Sequence, residues 1–331
     1  MLFSSKKIAV SSWTWHDAFY KGEISLIEIP AKSRQAGIGQ VELNDFMLPP
    51  GRWSRTRELF RSIFGYENGS KKQQRYQPST INKLIGQLKA HNVQCITWSI
   101  ESDLTCSEEL WRKELAYIIK GLQTTAQLDA QMIRMTLGGS ERMGPEIDYL
   151  IIRRLKLIIS LCKELFPTIQ LIVENHWGIT TDISRFLNII DAVDGIGVCF
   201  DPGNVGGQTR EQDWRKLAEK AQLFHLKIYE HDTEKMDQTI DYIKVFEELG
   251  LNDYTGKLVI EHEGSSDPSE TLESILAQLK QWPTLAGFKA IALASAQKTG
   301  SQKAKGNNTS SAASFFKPLM PGEISLSDNQ S

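Results

Sequence analysis

Ile172-Val173-Glu174-Asn175-His176, Val198-Cys199-Phe200-Asp201-Pro202-Gly203-Asn204, Phe224-His225-Leu226-Lys227 and Val259-Ile260-Glu261-His262-Glu263-Gly264 share one design: an apolar run that ends in an acid or an imidazole. Short apolar runs bounded by turn residues suit strands buried on both faces. A charge at the end of such a strand is costly unless it is paired or bound to a metal. Four strands ending in Glu, Asp, His and Glu therefore point to convergence on one cation, and so to a metal-dependent enzyme.

Outward from these segments the same alternation runs from residue 7 to about residue 282. Strands are expected at Lys7–Ser12, Gly39–Asn44, Val93–Ser99, Met132–Leu137, Gln170–Asn175, Gly197–Asp201, Leu223–Tyr229 and Lys257–Glu263. Helical patterns lie between and after them, at Leu26–Gln35, Ser79–His91, Glu108–Leu128, Tyr149–Leu165, Thr181–Ala192, Arg215–Lys220, Thr239–Leu249 and Glu270–Gln281. Strict alternation of strand and helix favours a parallel sheet covered by helices. No G-x-G-x-x-G follows the first strand, which speaks against a dinucleotide-binding sheet. The expectation is an α/β fold: one closed (β/α)8 TIM barrel over residues 1–290, with a basic insertion at about 49–78 after the second strand. Residues 291–331 read as a low-complexity, disordered tail.

Composition narrows the function classes. The 331 residues carry 40% hydrophobic and 24% charged side chains and a formal net charge of −2. Such a balance gives no electrostatic case for nucleic acid or an anionic membrane. No run is long enough to span a bilayer, and Met1-Leu2-Phe3-Ser4-Ser5-Lys6-Lys7 has no secretory core. Cys95, Cys106, Cys162 and Cys199 are scattered without CxxC pairing, which reads as reduced thiols in a cytoplasmic protein.

Strand parity selects the inward residues. It groups His225 with Lys227, Glu261 with Glu263, Glu174 with His176, Asp201 with Cys199, and Arg134 with Met132 and Thr136; Glu42 is inward on the second strand. Two Glu, one Asp and one His form an oxygen-rich donor set suited to one divalent ion: Mn, Mg, Co or Zn. Trp13, Trp15, Trp98 and Trp177 stand near strand ends, where an aromatic face suits a sugar ring; Trp15 is taken as the substrate contact, and His16 is a further candidate.

The motifs Val173-Glu174-Asn175-His176, Phe200-Asp201-Pro202-Gly203-Asn204, His225-Leu226-Lys227 and Ile260-Glu261-His262-Glu263-Gly264 resemble the sugar phosphate isomerase/epimerase superfamily, the xylose isomerase-like TIM barrels of the AP endonuclease 2 type. The resemblance spans residues 7–282. It implies Glu174, Asp201, His225 and Glu261 as metal ligands, with Glu174 and Glu261 also the catalytic acid/base pair. Relatives often carry His three residues after the Asp, where this chain has Asn204, which can bond a hydroxyl but cannot shuttle a proton.

The implied activity is isomerisation or epimerisation of a sugar, sugar phosphate or related polyol ketone, by proton transfer through a metal-stabilised enediolate. Lys227, Arg134, His176, Asn204, Glu42 and Trp15 would contact substrate. The basic insertion, with Arg52, Arg55, Arg57, Arg61, Lys71, Lys72 and Arg75, hints at a phosphate. An inosose dehydratase-like lyase on the same site, and a catalytically idle sugar- or partner-binding barrel, stay open as alternatives, as does homo-oligomerisation. A repair endonuclease would need additional His ligands on the second and third strands, which read Val41-Glu42-Leu43-Asn44 and Cys95-Ile96-Thr97-Trp98.

Overall fold

The computed structural model describes residues 7–48, 72–250 and 254–281. Most of the basic insertion, 49–71, and the tail lie outside the described residues. In chain order the elements are β1 (Ile8–Ser11), α1 (His16–Lys21), α2 (Ile29–Gln35), β2 (Gln40–Asn44), α3 (Pro78–Ala90), β3 (Gln94–Ile100), α4 (Glu108–Gln127), β4 (Met132–Met135), α5 (Glu146–Leu165), β5 (Gln170–Glu174), α6 (Ile183–Asp191), β6 (Gly197–Phe200), α7 (Arg210–Ala218), β7 (Ala221–Ile228), α8 (Tyr242–Glu248), β8 (Lys257–His262) and α9 (Pro268–Gln281). The strands are all parallel and close in the order β1-β8-β7-β6-β5-β4-β3-β2. The barrel expected from the sequence is therefore present, strand for strand. No helix among the described residues is long and apolar enough to cross a membrane.

The sequence makes these strands because each is an apolar run with one face for the helices and one for the barrel axis. Leu171, Val173, Val198, Phe200, Phe224, Leu226 and Ile228 join the large buried core shared with the helices. A second, separate cluster fills the axis: Ala9, Ile96, Met132, Ile172, Cys199, Leu223 and Val259. Met132, Ile172, Cys199, Leu223 and Val259 each stand two positions before a polar residue on the same chain segment: Arg134, Glu174, Asp201, His225 and Glu261. Two strand residues rise roughly 6–7 Å, so a water-free floor lies directly beneath a layer of charges.

Local chemistry sets the helix starts. Asp267 Oδ1 accepts the Ser269 and Glu270 N–H groups at 2.8 and 3.1 Å, and Pro268 opens α9 without needing a donor. The helix expected at Thr239 begins instead at Tyr242. Asp237 gathers the Thr239 and Ile240 N–H groups at 2.7 and 3.0 Å in a turn, and Asp241 then caps α8 through Lys244 N–H at 3.2 Å. Conversely, α7 starts five residues before its expected start at Arg215, because Arg210-Glu211-Gln212-Asp213 shows no apolar period, while the buried Trp214 anchors it. The short α1 and a two-residue hairpin, His231–Asp232 with Met236–Asp237, were not expected.

The insertion returns to the barrel through buried polar contacts. Asp45 Oδ2 accepts both Tyr76 and Tyr117 hydroxyls at 2.8 Å, and Arg75 Nη1 lies 3.5 Å from Oδ1. Lys72 Nζ donates to Glu114 Oε1 at 3.0 Å and to the Glu101 carbonyl at 2.6 Å. Burial raises the Asp45 carboxyl above its usual range, although Arg75 and the two tyrosines oppose the rise. Thus Lys72 and Arg75 of the basic insertion pair with Glu114 on α4 and with Asp45 just after β2. Tyr117→Phe should therefore lower the unfolding free energy by about 1–3 kcal/mol, because a buried acceptor loses a donor. Denaturant midpoints check this; an unchanged midpoint would show that Asp45 does not need the second tyrosine.

Candidate active site and metal centre

β2, β4, β5, β6, β7 and β8 each deliver a charged side chain at or near the C-terminal end of the barrel, where the catalytic face of such barrels lies. Glu42, Glu174, Asp201, His225, Lys227, Arg134 and Glu261 are all buried, and Glu263 stands partly exposed above them. Two register shifts help aim them. One falls between Val41 and Glu42 against β3, and the other between Val198 and Cys199 against β7. Such irregularities re-aim side chains beside active sites.

The centre of the arrangement is the His225 imidazole. Its Nδ1 faces Glu174 Oε1 at 3.1 Å, Asp201 Oδ2 at 3.7 Å and Glu261 Oε2 at 3.9 Å. On the other side Nε2 lies 3.3 Å from Glu42 Oε1. Neither Nδ1 nor Asp201 Oδ2 makes a hydrogen bond of good geometry, although both are buried. The remaining carboxylate oxygens are held elsewhere. Arg134 donates to Glu174 Oε2, to Glu42 Oε1 at 2.9 Å and to Asn44 Oδ1 at 3.1 Å. Lys227 Nζ donates to Glu261 Oε1 and to Glu263 Oε2 at 2.9 Å, and lies 3.3 Å from Asp201 Oδ2. Asp201 Oδ1 accepts the Gly203 N–H at 2.8 Å.

Charge bookkeeping shows what this arrangement lacks. Glu42, Glu174, Asp201 and Glu261 are four buried carboxylates, against two permanent cations, Arg134 and Lys227. Two like charges about 4 Å apart repel by roughly 4 kcal/mol at an effective dielectric of 20. The cluster therefore calls for further positive charge where the free oxygens meet. Burial opposes charging of His225, but Cys199, Glu42, Glu261 and Glu174 overcome it and push its pKa well above the usual imidazole range. Burial would raise Glu174, yet Arg134, His176 and His225 hold it well below the usual carboxylate range. Glu261 is likewise held down to about 2 against burial, by Lys227 and His225. Glu42, His225 and Glu261 form one buried group that could hold a metal, with donor atoms within 4.8 Å of one another; Glu174, Cys199 and His225 form another. An unpartnered imidazole nitrogen among ionised carboxylates fits a divalent cation by donor type and by charge.

Of the other expected site residues, His176 borders Glu174, with its buried Nδ1 free of a hydrogen bond and its ring edge-on to Trp177 at 6.1 Å. Asn204 ends the short turn after Asp201, and its buried Nδ2 has no hydrogen-bond partner. Trp15 lies in the core rather than in the charged cluster, and Trp98 packs behind β3 against Tyr76, at 6.1 Å. Trp13 instead stacks on His16 at 4.7 Å and meets Tyr20 and Phe46 edge-on beyond the ends of β1 and β2. Asn44 and Asn175 were missed. Asn44 shares parity with Glu42, which was signal enough. Asn175 bridges β5 and β6, donating to the Asp201 carbonyl at 2.7 Å and accepting its N–H at 2.8 Å, a contact that depends on the neighbouring strand. Gly203 is required by close approach, since a Cβ there would sit 2.9 Å from Lys227 Cγ and 2.8 Å from the Tyr229 ring.

A model of the xylose isomerase-like TIM barrel family matches residues 59–282, well over half of the chain. This chain belongs to that family. Solved structures with the same barrel include the probable 3-DHS dehydratase AsbF from Bacillus anthracis, with a TM-score of 0.59 and 14% identity, covering 84% of this chain and 100% of that one. The 3-keto-D-glucoside 4-epimerase YcjR from E. coli gives a TM-score of 0.59 at 14% identity, covering 83% of this chain and 99% of its own. The D-allulose 3-epimerase from Methylomonas sp. gives 0.60 at 12% identity, covering 83% and 97%. At such identities the likeness to these three is one of fold. No curated protein matches the chain at a significant level.

Within this xylose isomerase-like barrel, Lys227 faces three carboxylates at once, those of Asp201, Glu261 and Glu263. Lys227→Met, measured in chelator, should destabilise the fold by about 3–5 kcal/mol, the usual cost of orphaning a buried charge. Urea midpoints at constant slope read the effect. An unchanged midpoint would show that the carboxylates do not depend on the ammonium.

Proposed function

We propose that this barrel is a divalent-metal-dependent isomerase or epimerase of a sugar, sugar phosphate or related polyol ketone. The observation that carries the reading is the convergence of Glu174 Oε1, Asp201 Oδ2 and Glu261 Oε2 on the unpartnered His225 Nδ1. Glu174, Asp201, His225 and Glu261 would hold the metal, which when bound acts as a Lewis acid on a substrate carbonyl and its neighbouring hydroxyl. The epimerases among the structural neighbours support a sugar-like substrate.

The chain's own residues supply the rest. Glu42 lies 3.3 Å from His225 Nε2 and, with a metal in place of the Nδ1 proton, would accept the Nε2–H and hold the ring with Nδ1 toward the carboxylates. Arg134 and Lys227 each occupy one oxygen of Glu174 and Glu261, leaving the other oxygen toward the centre. Both glutamates are held ionised, so each can accept a proton from carbon beside a carbonyl and return it. The apolar floor excludes water beneath them. His176 and Asn204 carry unpartnered polar atoms suited to substrate hydroxyls. Lys72 and Arg75 are committed to Glu114 and Asp45, so they lend no support to a phosphate group.

A dehydration on the same site is the second reading. It is favoured by Lys227, an ammonium beside Glu261 that could protonate a departing hydroxyl. Product mass separates the two, since water loss changes it and isomerisation does not.

Elemental analysis of the purified protein should find a stoichiometric divalent ion that the Glu174→Gln/His225→Ala variant lacks. Glu174→Gln and Glu261→Gln should each slow exchange of the substrate's α-proton with solvent by about 10²–10⁴-fold while the fold persists. Protein that carries no ion even after incubation with Mn²⁺, or variants with wild-type exchange, would leave the barrel as a binding module.

A further inference from the structure

One thiol lies directly under the carboxylates. Cys199 stands on β6 two positions before Asp201, is fully buried, and pairs in register with Glu174 on β5. Its Sγ lies within 4.8 Å of both a Glu174 carboxylate oxygen and a His225 ring nitrogen, which are themselves within that distance of each other. Beside it two buried polar atoms, His225 Nδ1 and Asp201 Oδ2, have no hydrogen-bond partner. We infer that Cys199 is a sulfur donor to the metal centre, and that it biases the site toward zinc, cobalt or another thiophilic divalent ion over magnesium. The inference rests on the reading that this cluster holds a metal.

The position argues for more than core filling. The other members of the axial cluster are Ala9, Ile96, Met132, Ile172, Leu223 and Val259, ordinary fillers of a barrel interior. Only at Cys199 does that layer offer a ligating thiol, and the strand register sets this residue beside Glu174. The β6/β7 register shift falls at this same residue, opposite the strand that carries His225. Carboxylates and imidazole alone make a borderline-hard set, whereas one thiolate shifts preference toward softer ions. On coordination the S–H bond is exchanged for an S–metal bond and the proton leaves to solvent; nothing is oxidised. Cys95, Cys106 and Cys162 join no metal-ligand group among the described residues.

Cobalt(II) added to metal-free full-length protein tests this without any substrate. Visible d–d bands report cobalt in the site, and a near-ultraviolet sulfur-to-cobalt charge-transfer band reports thiolate ligation. The expected result is both bands in the wild type, with only the charge-transfer band lost in Cys199→Ser and Cys199→Ala. Affinity for zinc relative to magnesium should also fall in those variants by at least the roughly 10–100-fold that loss of an outer-sphere partner costs. Wild-type d–d bands without the charge-transfer band would overturn the inference and leave the metal reading standing, even if neither variant folds. A charge-transfer band that persists in both variants would overturn it too, by assigning the sulfur to another cysteine. Absence of every cobalt band would remove both readings together.

Discussion

Three buried carboxylate oxygens facing one imidazole nitrogen form the constraint to which the rest of this barrel answers. Left alone, the four buried carboxylates would repel one another by several kcal/mol per close pair. Arg134 and Lys227 relieve that repulsion from opposite sides, each gripping a glutamate by one oxygen. They do so without filling the centre, because His225 holds the space between them. Glu42 in turn fixes His225 from behind. The cluster is thus a closed polar network in which each member restrains another, and such networks are rigid when fully satisfied. Its unsatisfied places include His225 Nδ1 and Asp201 Oδ2, where the carboxylates converge.

The barrel converts that constraint into geometry. Arg134, Glu174, Asp201, His225 and Glu261 each follow, two positions on, a residue of the apolar floor, so these side chains cannot relax downward into solvent. Their neighbours in the wall are Leu, Ile, Val and Phe packed against helices. The Gly203 approach to Lys227 lets the turn after β6 close over the ammonium stem, which keeps Lys227 buried despite its length.

Much of this was legible before any coordinates. All eight strands could be read, because a barrel strand is a continuous apolar run ending in polar residues, and that signal is local. Parity then placed Glu174, His225, Lys227, Arg134 and Glu261 on the inner face. Pairing was not legible, since Arg134 reaches Glu42 and Glu174 through a closure that no linear pattern encodes. For the same reason Glu42 reads as a substrate contact in the sequence but stands behind His225 in space. Trp98 shows where strand-end position misleads: it turns outward to meet Tyr76, while the β2/β3 register shift skips Ile96 between Cys95, opposite Val41, and Thr97, opposite Glu42. The pairing of Lys72 and Arg75 was equally hidden, for a basic run looks solvated until its acidic partners, Glu114 and Asp45, distant in the chain, are seen.

The Asp45 network carries a consequence for how such a barrel can change. The chain leaves β2 at Asp45 and returns at Lys72–Tyr76, and both feet of the excursion are clamped to the same carboxylate and its tyrosines. Doubling the length of a loop with anchored ends costs only about 0.6 kcal/mol in closure entropy. The segment between those feet can therefore be lengthened, shortened or rewritten with little effect on how the barrel closes, while its ends stay fixed next to Glu42. The clamp thus lets the length of chain between Leu48 and Lys72 vary while Asp45, Arg75 and Tyr76 keep their contacts.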